Sequence, residues 1–507
     1  MAIFTIKNTN NKKILCTQSP KNFAPLNEIE CATKEDVANA FIRAREAQLE
    51  WKHVPIEKRI ELLERLATII SQQKERIIEV VISETGKPKQ EALSMEVYSA
   101  LDSIVFYCKR AKKWLADESI KLHGFMRFLK KCKVIYKPRG IIGIITPWNG
   151  PFILSINPVI QCLLSGNAAI VKPSEVTPLS GQLVEEMFVL AGAPKNLVQV
   201  LIGDGEVGEA LINNKPDKIS FTGSVATGRK VAEQCGRLLI PFSLELGGKD
   251  AMVVCEDSNI KEAAQGAVMG SCMNAGQYCC GTERIYVTES IYDEFVDEAT
   301  NITASLNQSD QDIADVGATF WDKQLDIIDD HIQDAVAKGA KILVGGSKNP
   351  SLKGLYYLPT VIVDVDHSMK IMQEETFGPI VCIMKVKDEE EAMRLANDSK
   401  YGLNGNIWTQ NLNKGLAMAR SLDTGACSIN DMAMSYGLNE VPFGGLKESG
   451  LGFVNGKEGF RSYCHAMPVV IGKKPSSIYP YTQKSYHQLE QAIKLFFDNK
   501  LFRKLFG

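Results

Sequence analysis

The sequence predicts an α/β protein built from two open-sheet α/β domains in tandem. Three observations carry this. The chain has 507 residues, more than one hydrophobic core usually accommodates. From about residue 123 onward, short continuous apolar runs alternate with helical patterns, the texture of a parallel sheet covered on both faces. From about Asp257 to Thr376 the same alternation starts afresh and runs on through "NKGLAMARSL".

The elements follow in order. "TKED" offers Thr33 as an N-cap with Asp36 in the first turn, and from there to about Glu118 the pattern is mostly helical. Pro55 starts a second helical run, in which Ile56, Ile60, Leu63, Ala67 and Ile70 recur at helical spacing. "TGKP" ends the next one, with Gly86 suited to the C-cap and Pro88 just beyond. "VIYKPRGIIGIITPWN" reads as two strands punctuated by Pro138 and Gly140. "AAIVKPS", "NLVQVLIG" and "KISFTGS" are strands, separated by the helices "SGQLVEEMFVLAG" and "EVGEALINN". "CIMKV" and "GNIWTQ" are strands of the second series. At the end, Leu489, Ile493, Phe496, Phe497, Leu501 and Leu505 form a helical stripe among Lys494, Lys500, Arg503 and Lys504. Docking of that stripe on the body or on another subunit is the favoured reading, and contact with a membrane surface the other.

Composition excludes several classes. The net charge is −2, with 45% hydrophobic and 23% charged residues, so nothing marks a nucleic-acid partner or an anionic-membrane protein overall. Thirteen scattered cysteines, an odd number, point to a reducing compartment, and the N-terminus has no signal-peptide pattern. A cytoplasmic protein is expected. No metal is expected, because there is no H-E-x-x-H, no paired C-x-x-C and only six histidines.

Chemistry is offered at four places. Gly203, Gly205 and Gly208 in "IGDGEVGEA" fit a glycine turn between strand and helix, and Gly223, Ser224 and Gly228 in "FTGSVATG" form a second one. Backbone N–H groups at such a helix start favour a phosphate, although each turn is also an ordinary tight connection. Glu245 stands in an apolar strand before Gly247 and Gly248, either as a buried ion-pair partner or as a base raised toward neutral pH. Asn149 in "TPWNGP" ends an apolar strand, where its amide can donate to an oxyanion or hold a turn. In "NAGQYCCGTER", Cys279 and Cys280 are core, disulfide or nucleophile.

Taken together, "PWNGP", "KPSEVTP", "FTGSVATG", "LELGGK", "NAGQYCCG", "EETFGP" and "PFGGLKESGLG" stand in the order and approximate spacing of one family. The chain resembles the hydrolytic, NAD(P)-dependent aldehyde dehydrogenases from about Glu30 to Val470. The resemblance implies Cys279 as nucleophile, Glu245 as general base, and Asn149 with the Cys279 backbone N–H as oxyanion donors. For the cofactor it implies Lys172 and Glu175 at the adenosine ribose, Gly205 beside the adenine and Gly223 and Ser224 near the pyrophosphate. Glu375 and Phe377 fall at the nicotinamide ribose and ring, and Trp148 beside the cofactor. A carboxylate at Glu175 favours NAD over NADP; Lys172 and Ser174 could accommodate the extra phosphate.

For the substrate, Met273 stands where succinate-semialdehyde enzymes of the family carry an arginine, and Tyr278 adds an aromatic wall. Both are consistent with an apolar or aromatic aldehyde; a succinate-semialdehyde-type enzyme and a catalytically silent protein on the same fold are the alternatives. The implied architecture is a Rossmann-like cofactor-binding domain at 1–122 and 142–246 and a catalytic domain at 247–445. A small bridging β-sheet at 123–141 and 461–472 would join subunits into a dimer or tetramer, leaving an amphipathic tail at 473–507.

Overall fold

The apolar runs become strands because helices or loops cover both of their faces. The computed structural model of the chain describes residues 2–9, 12–124, 126–311, 313–432, 435–473, 481–498, 500 and 502–503. Ile141–Ile145, Ala168–Lys172, Val198–Val200, Lys218–Thr222 and Phe242–Glu245 form one parallel sheet. Every residue of Ala168–Lys172 is buried. Across the sheet the order is Phe242–Glu245, Lys218–Thr222, Ile141–Ile145, Ala168–Lys172, Val198–Val200, with Gly450–Leu451 antiparallel at the first edge. The chain thus leaves Ile141–Ile145 toward one edge and returns on its other side at Lys218–Thr222. That reversal opens a crevice beyond the C-terminal ends of the two strands, where ligands of open α/β sheets bind.

The second sheet has seven strands, in the order Lys341–Val344, Thr360–Val363, Ile380–Val386, Thr282–Thr288, Asp250–Val254, Gly405–Trp408, Ser428–Ile429. Only the Lys341–Val344 edge is antiparallel. Its strands feed a core on each face. Ala251 and Val253 belong to one cluster, Met252 and Val254 to the other. This is the period-two alternation of a strand buried on both sides. The two open sheets of the predicted fold class are therefore both present.

The predicted helix signals act as expected. Thr33 and Asp36 close a capping box on Lys34–Trp51: Asp36 N donates to Thr33 Oγ1 at 3.1 Å and Thr33 N to Asp36 Oδ2 at 2.8 Å. Gly86 ends Lys74–Thr85 at φ 67°, a conformation a side chain would strain. An unexpected element is a three-stranded antiparallel sheet, Phe4–Thr9, Lys12–Gln18 and Pro25–Glu30. Its outer strands, Phe4–Thr9 and Pro25–Glu30, are largely polar and exposed, so their alternation is faint in the sequence; Leu15 and Cys31 pack on Ile202.

A separate antiparallel sheet joins Cys464–Gly472 to Lys130–Pro138, and Glu118–Ile120, outside the ranges expected for a bridge, supplies its third strand. In the tail, Thr482 closes a capping box on Gln483–Ile493, and a wider turn continues over Lys494–Asp498. Among the described residues the stripe is not buried on the body, one of the two docking partners expected for it. Leu489 and Phe497 are each 64% exposed, and no residue of the helix is buried. Its first turn is satisfied by its own capping box rather than by the body. Leu501, Lys504 and Leu505 lie outside the described residues.

Candidate active site

A cavity of about 930 Å³ occupies the crevice at the strand reversal. Cys279, Glu245 and Asn149 line it together. So do Trp148, Lys172, Glu175, Gly205, Gly223 and Ser224, and from the second sheet's side Glu375 and Phe377. Met273 and Tyr278 are not among its lining residues. Met273 is half-buried at the end of Ile260–Cys272. Tyr278 packs with Cys279 against the cluster of Cys280, Leu403 and Phe443. Tyr436 joins the same cluster, edge-on to Phe443 at 5.3 Å.

The topology explains the convergence. Trp148 and Asn149 follow Ile141–Ile145, Gly223 and Ser224 follow the adjacent Lys218–Thr222, and Lys172 ends the strand on the other side. Ser224 caps Val225–Leu238, accepting from Thr227 N at 3.3 Å, and leaves the remaining N–H groups of that helix start for a ligand. A Cβ added at Gly205 would meet nothing within 4 Å, so the backbone there is open to close approach. Lys172 and Glu175 pair at 2.8 Å.

Glu245 ends its strand, and the two glycines behind it let the second sheet close on it. A side chain at Gly247 would run into the Glu375 carboxylate; one at Gly248 would meet Asp250 and, at 2.9 Å, the Cys279 carbonyl. Glu245 is 2% exposed and its Oε1 has no hydrogen-bond partner among the described residues. Burial pushes its carboxyl up to about 8, against a hydrogen bond with Cys279 that favours the charged form. Among the described residues no lysine pairs with it, so the ion-pair alternative finds no support. The Cys279 thiol is raised well above its ordinary range by its hydrogen bond with Cys280, by burial, and by the Glu245 charge. At rest it is a thiol poised against a base.

The cysteine loop is held in a costly conformation. Asn274, Ala275 and Gly276 have φ of 56°, 53° and 73°, and such a turn at Ala275 costs about 1–2 kcal/mol. Gly276 is needed because a Cβ there would collide with the Gly378 and Pro379 backbone. Gln277, which sequence reasoning left without a role, pins the turn: its Nε2 donates to Asn274 O at 3.0 Å and its Oε1 accepts from Phe320 N at 2.8 Å. Asn274 Nδ2 donates to Asn149 O at 3.0 Å, tying this loop to the other. Asn149 Nδ2 donates one hydrogen to Gln277 O at 3.1 Å, and its second N–H is the one the site can offer.

Two buried ion pairs, also unseen in the sequence, set these loops. Lys249 donates to Glu283 at 2.6 Å, and Glu283 accepts from the backbone of Thr376 and Phe377. Phe377 meets Trp148 edge-on at 5.5 Å. Lys87 donates to Glu96 at 2.6 Å and to Asn149 O at 3.3 Å, while Glu96 accepts from Phe152 N and Ile153 N. Both side chains of that pair are fully buried. Lys87→Met therefore strands a buried carboxylate and lowers unfolding stability by about 3–5 kcal/mol in urea denaturation. Adding Glu96→Leu recovers part of that loss without restoring the Asn149 position. Metal-ligand atoms gather at Cys255, Asp257 and Glu389, where the Lys414 ammonium already bridges the two carboxylates at 2.7 and 3.0 Å.

A thiol, a buried base, an amide donor and a dinucleotide-sized crevice with two glycine turns form one continuous surface. The family model described as "Aldehyde dehydrogenase family" matches residues 6–469. The chain belongs to the aldehyde dehydrogenase family. A 4,4'-diapolycopene aldehyde oxidase of Methylomonas sp is 37% identical over 459 residues, covering 90% of this chain and 86% of that protein. A Mycolicibacterium smegmatis protein that carries the name of an NADP(+) succinate-semialdehyde dehydrogenase is 37% identical over 452 residues, 88% of this chain and 87% of its own. The crystal structure of a Mycobacterium tuberculosis aldehyde dehydrogenase complexed with NAD+ superposes with a TM-score of 0.86 at 31% identity, covering 92% of this chain and 96% of that one. As an aldehyde dehydrogenase, the chain is an NAD(P)-dependent oxidoreductase, and its crevice has the glycine turns and helix start that fit the dinucleotide.

Proposed function

We propose that this aldehyde dehydrogenase oxidises an apolar or aromatic aldehyde to the carboxylic acid through a thioester on Cys279. The observation that carries the reading is the shared cavity, in which the Cys279 thiol, the unpartnered Glu245 Oε1 and the Asn149 amide meet. The Cys279 thiol gives its proton up to solvent water, and Sγ bonds to the carbonyl carbon. The resulting oxyanion accepts hydrogen bonds from Asn149 Nδ2 and the Cys279 backbone N–H, worth about 3 kcal/mol to the barrier. When bound, the nicotinamide supplies the acceptor for the hydride that leaves this carbon. Glu245 takes a proton from water, whose oxygen bonds to the acyl carbon as the C–S bond breaks; that proton passes to the leaving Sγ and the acid departs. Trp148, Phe377, Trp321 and Phe320 meet as an aromatic wall that keeps bulk water from this centre.

The similarity to a diapolycopene aldehyde oxidase supports an apolar substrate. Purified protein is given NAD+ and a panel from long-chain and aromatic aldehydes to succinate semialdehyde, and the absorbance of reduced nicotinamide is followed. Highest kcat/KM on the apolar members is expected; highest on the semialdehyde overturns the substrate class, and silence throughout overturns the enzyme.

The cofactor choice rests on Glu175, whose carboxylate suits a free 2′-hydroxyl and repels a 2′-phosphate. Glu175→Gln is expected to lower the NAD-over-NADP preference in kcat/KM about tenfold, on the scale of one lost charge-assisted hydrogen bond. The cofactor-binding (1–122, 142–246), catalytic (247–445) and bridging (123–141, 461–472) divisions are part of the same proposal, with the strand Glu118–Ile120 moved to the bridge and two or four copies joined through it.

A further inference from the structure

The turn that carries Cys279 is held at its entrance from far away in the chain. Ile260–Cys272 ends with Met273 N donating to Met269 O, and the next residue, Asn274, swings to φ 56°. Asn274 is buried, and a buried N–H left unpaired costs as much as a lost hydrogen bond. Glu91 Oε1 accepts from it at 2.7 Å, across 183 positions. The other carboxyl oxygen, Oε2, is closed off from solvent and has no hydrogen-bond partner among the described residues. Burial lifts the carboxyl to about 7, against the hydrogen bond from Asn274 N and the charge of Lys87. A carboxyl is thus held out of water at a cost, and no step of the thioester reaction draws on it.

The helix under Glu91 explains how it reaches the turn. Pro88 opens Lys89–Glu91, and the chain widens into a π-helical turn over Ala92–Tyr98 before it returns to an α-helix at Ser99–Leu115. Residues four apart share a face of an α-helix. In the wider turn, whose hydrogen bonds close five residues on, residues five apart do so. Glu91 and Glu96 have that spacing. Glu96 accepts from Phe152 N and Ile153 N behind Asn149, and Glu91 from Asn274 N ahead of Cys279. One face therefore carries a carboxyl under each of the two loops that must meet at the aldehyde carbonyl. Between them, Asn274 Nδ2 and Lys87 Nζ both close on the Asn149 carbonyl.

We propose that Glu91 is a positioning residue for the attack on the aldehyde, holding the strained turn of Asn274, Ala275 and Gly276 so that Cys279 Sγ and the Asn149 amide face one point. Successive positive φ angles persist only where the surroundings over-determine them. Gln277 pins the far end of the turn, and Glu91 pins the near one. Glu91 does not line the cavity, so it acts through Asn274 rather than on aldehyde or cofactor. The inference rests on Cys279 as the reacting sulfur.

The test compares Glu91→Gln with Glu91→Met. Both side chains match glutamate in length, but only glutamine keeps an oxygen for Asn274 N. The readout is a single turnover with enzyme and NAD+ in excess over aldehyde, where the rate constant for reduced nicotinamide belongs to the folded sites alone. Glu91→Met is expected to lower that rate constant about 10–100-fold, the scale of a displacement of about 1 Å at the reacting atoms. Its NAD+ affinity, read from tryptophan quenching, and its aldehyde KM should stay within about twofold of wild type, because only the attack is misaligned. Glu91→Gln should keep a rate constant within about threefold of wild type, since the acceptor is retained. A Glu91→Met enzyme as fast as wild type overturns the proposal. So does a Glu91→Gln enzyme as slow as Glu91→Met, or a loss of NAD+ affinity large enough to account for the slower rate. Oxidation that survives Cys279→Ala overturns it together with the thioester reading, whereas the other three results leave that reading standing.

Discussion

Replacing Cys279 by alanine abolishes aldehyde oxidation and leaves the fold and the dinucleotide crevice in place. The loss is at least about 10⁴-fold in kcat, because no other group in the cavity can form the bond to the carbonyl carbon. The stability cost is about 1 kcal/mol or less, since the side chain is only half-buried and a single sulfur is removed. Trp148 and Trp321 line the same cavity, so quenching of their fluorescence by added NAD+ reports an intact crevice in the inactive variant. Cys280→Ala is the control. Cys280 is fully buried among Leu403 and Phe443, so its loss is felt in packing rather than chemistry. It also removes the hydrogen bond that raises the Cys279 thiol, so the optimum pH for acylation shifts downward. Activity that survives Cys279→Ala, or that disappears with Cys280→Ala in a folded protein, reassigns the nucleophile.

What could be read from the sequence was whatever local pattern encodes. The strands of both sheets are continuous apolar runs with both faces covered, so Ala168–Lys172 and Gly405–Trp408 announced themselves. Thr33, Gly86 and Ser224 act through neighbours within four residues, which any window sees. The bases and donors of the site stood out for a related reason: Glu245 and Asn149 interrupt apolar runs, and such an interruption costs free energy unless something uses it. The residues that were missed act at a distance. Lys87 reaches Asn149 across 62 positions, Lys249 reaches Glu283 across 34, and Gln277 accepts from Phe320 across 43. In the sequence they are an ordinary lysine in a helix stop, an ordinary lysine after two glycines, and a glutamine in a turn. Tyr436 was missed because its neighbourhood with Phe443 and Cys279 depends on where two separate loops come to rest. The polar N-terminal sheet carries too little apolar alternation to declare itself.

Glu245→Gln is expected to separate the two halves of the reaction. Glutamine keeps the shape of the side chain in its buried position but accepts no proton, so water is no longer activated and the Cys279 thioester accumulates. Rapid mixing with NAD+ and aldehyde then gives a burst approaching one reduced nicotinamide per site, followed by turnover slowed about 10²–10⁴-fold. The pH profile carries the same signature. A base works only when ionised, and burial lifts this carboxyl to about 8. Wild-type turnover should therefore climb as pH rises through about 8, and the variant should lack that limb. Stability moves in the opposite sense. The folded-state value lies above the ordinary 4.5, so between the two the folded protein holds a proton that the unfolded chain has released. Wild-type stability consequently falls across that window as pH rises, whereas glutamine does not titrate. The variant should melt above wild type at pH 8 and level with it below about pH 4, where both chains of the wild type's equilibrium are protonated. A catalytic group that weakens the fold at its working pH is the expected bargain for a carboxylate held out of water next to a thiol. An unchanged steady-state rate without a burst removes Glu245 from the mechanism; a variant no more stable at pH 8 than wild type removes burial as the cause of its raised affinity for the proton.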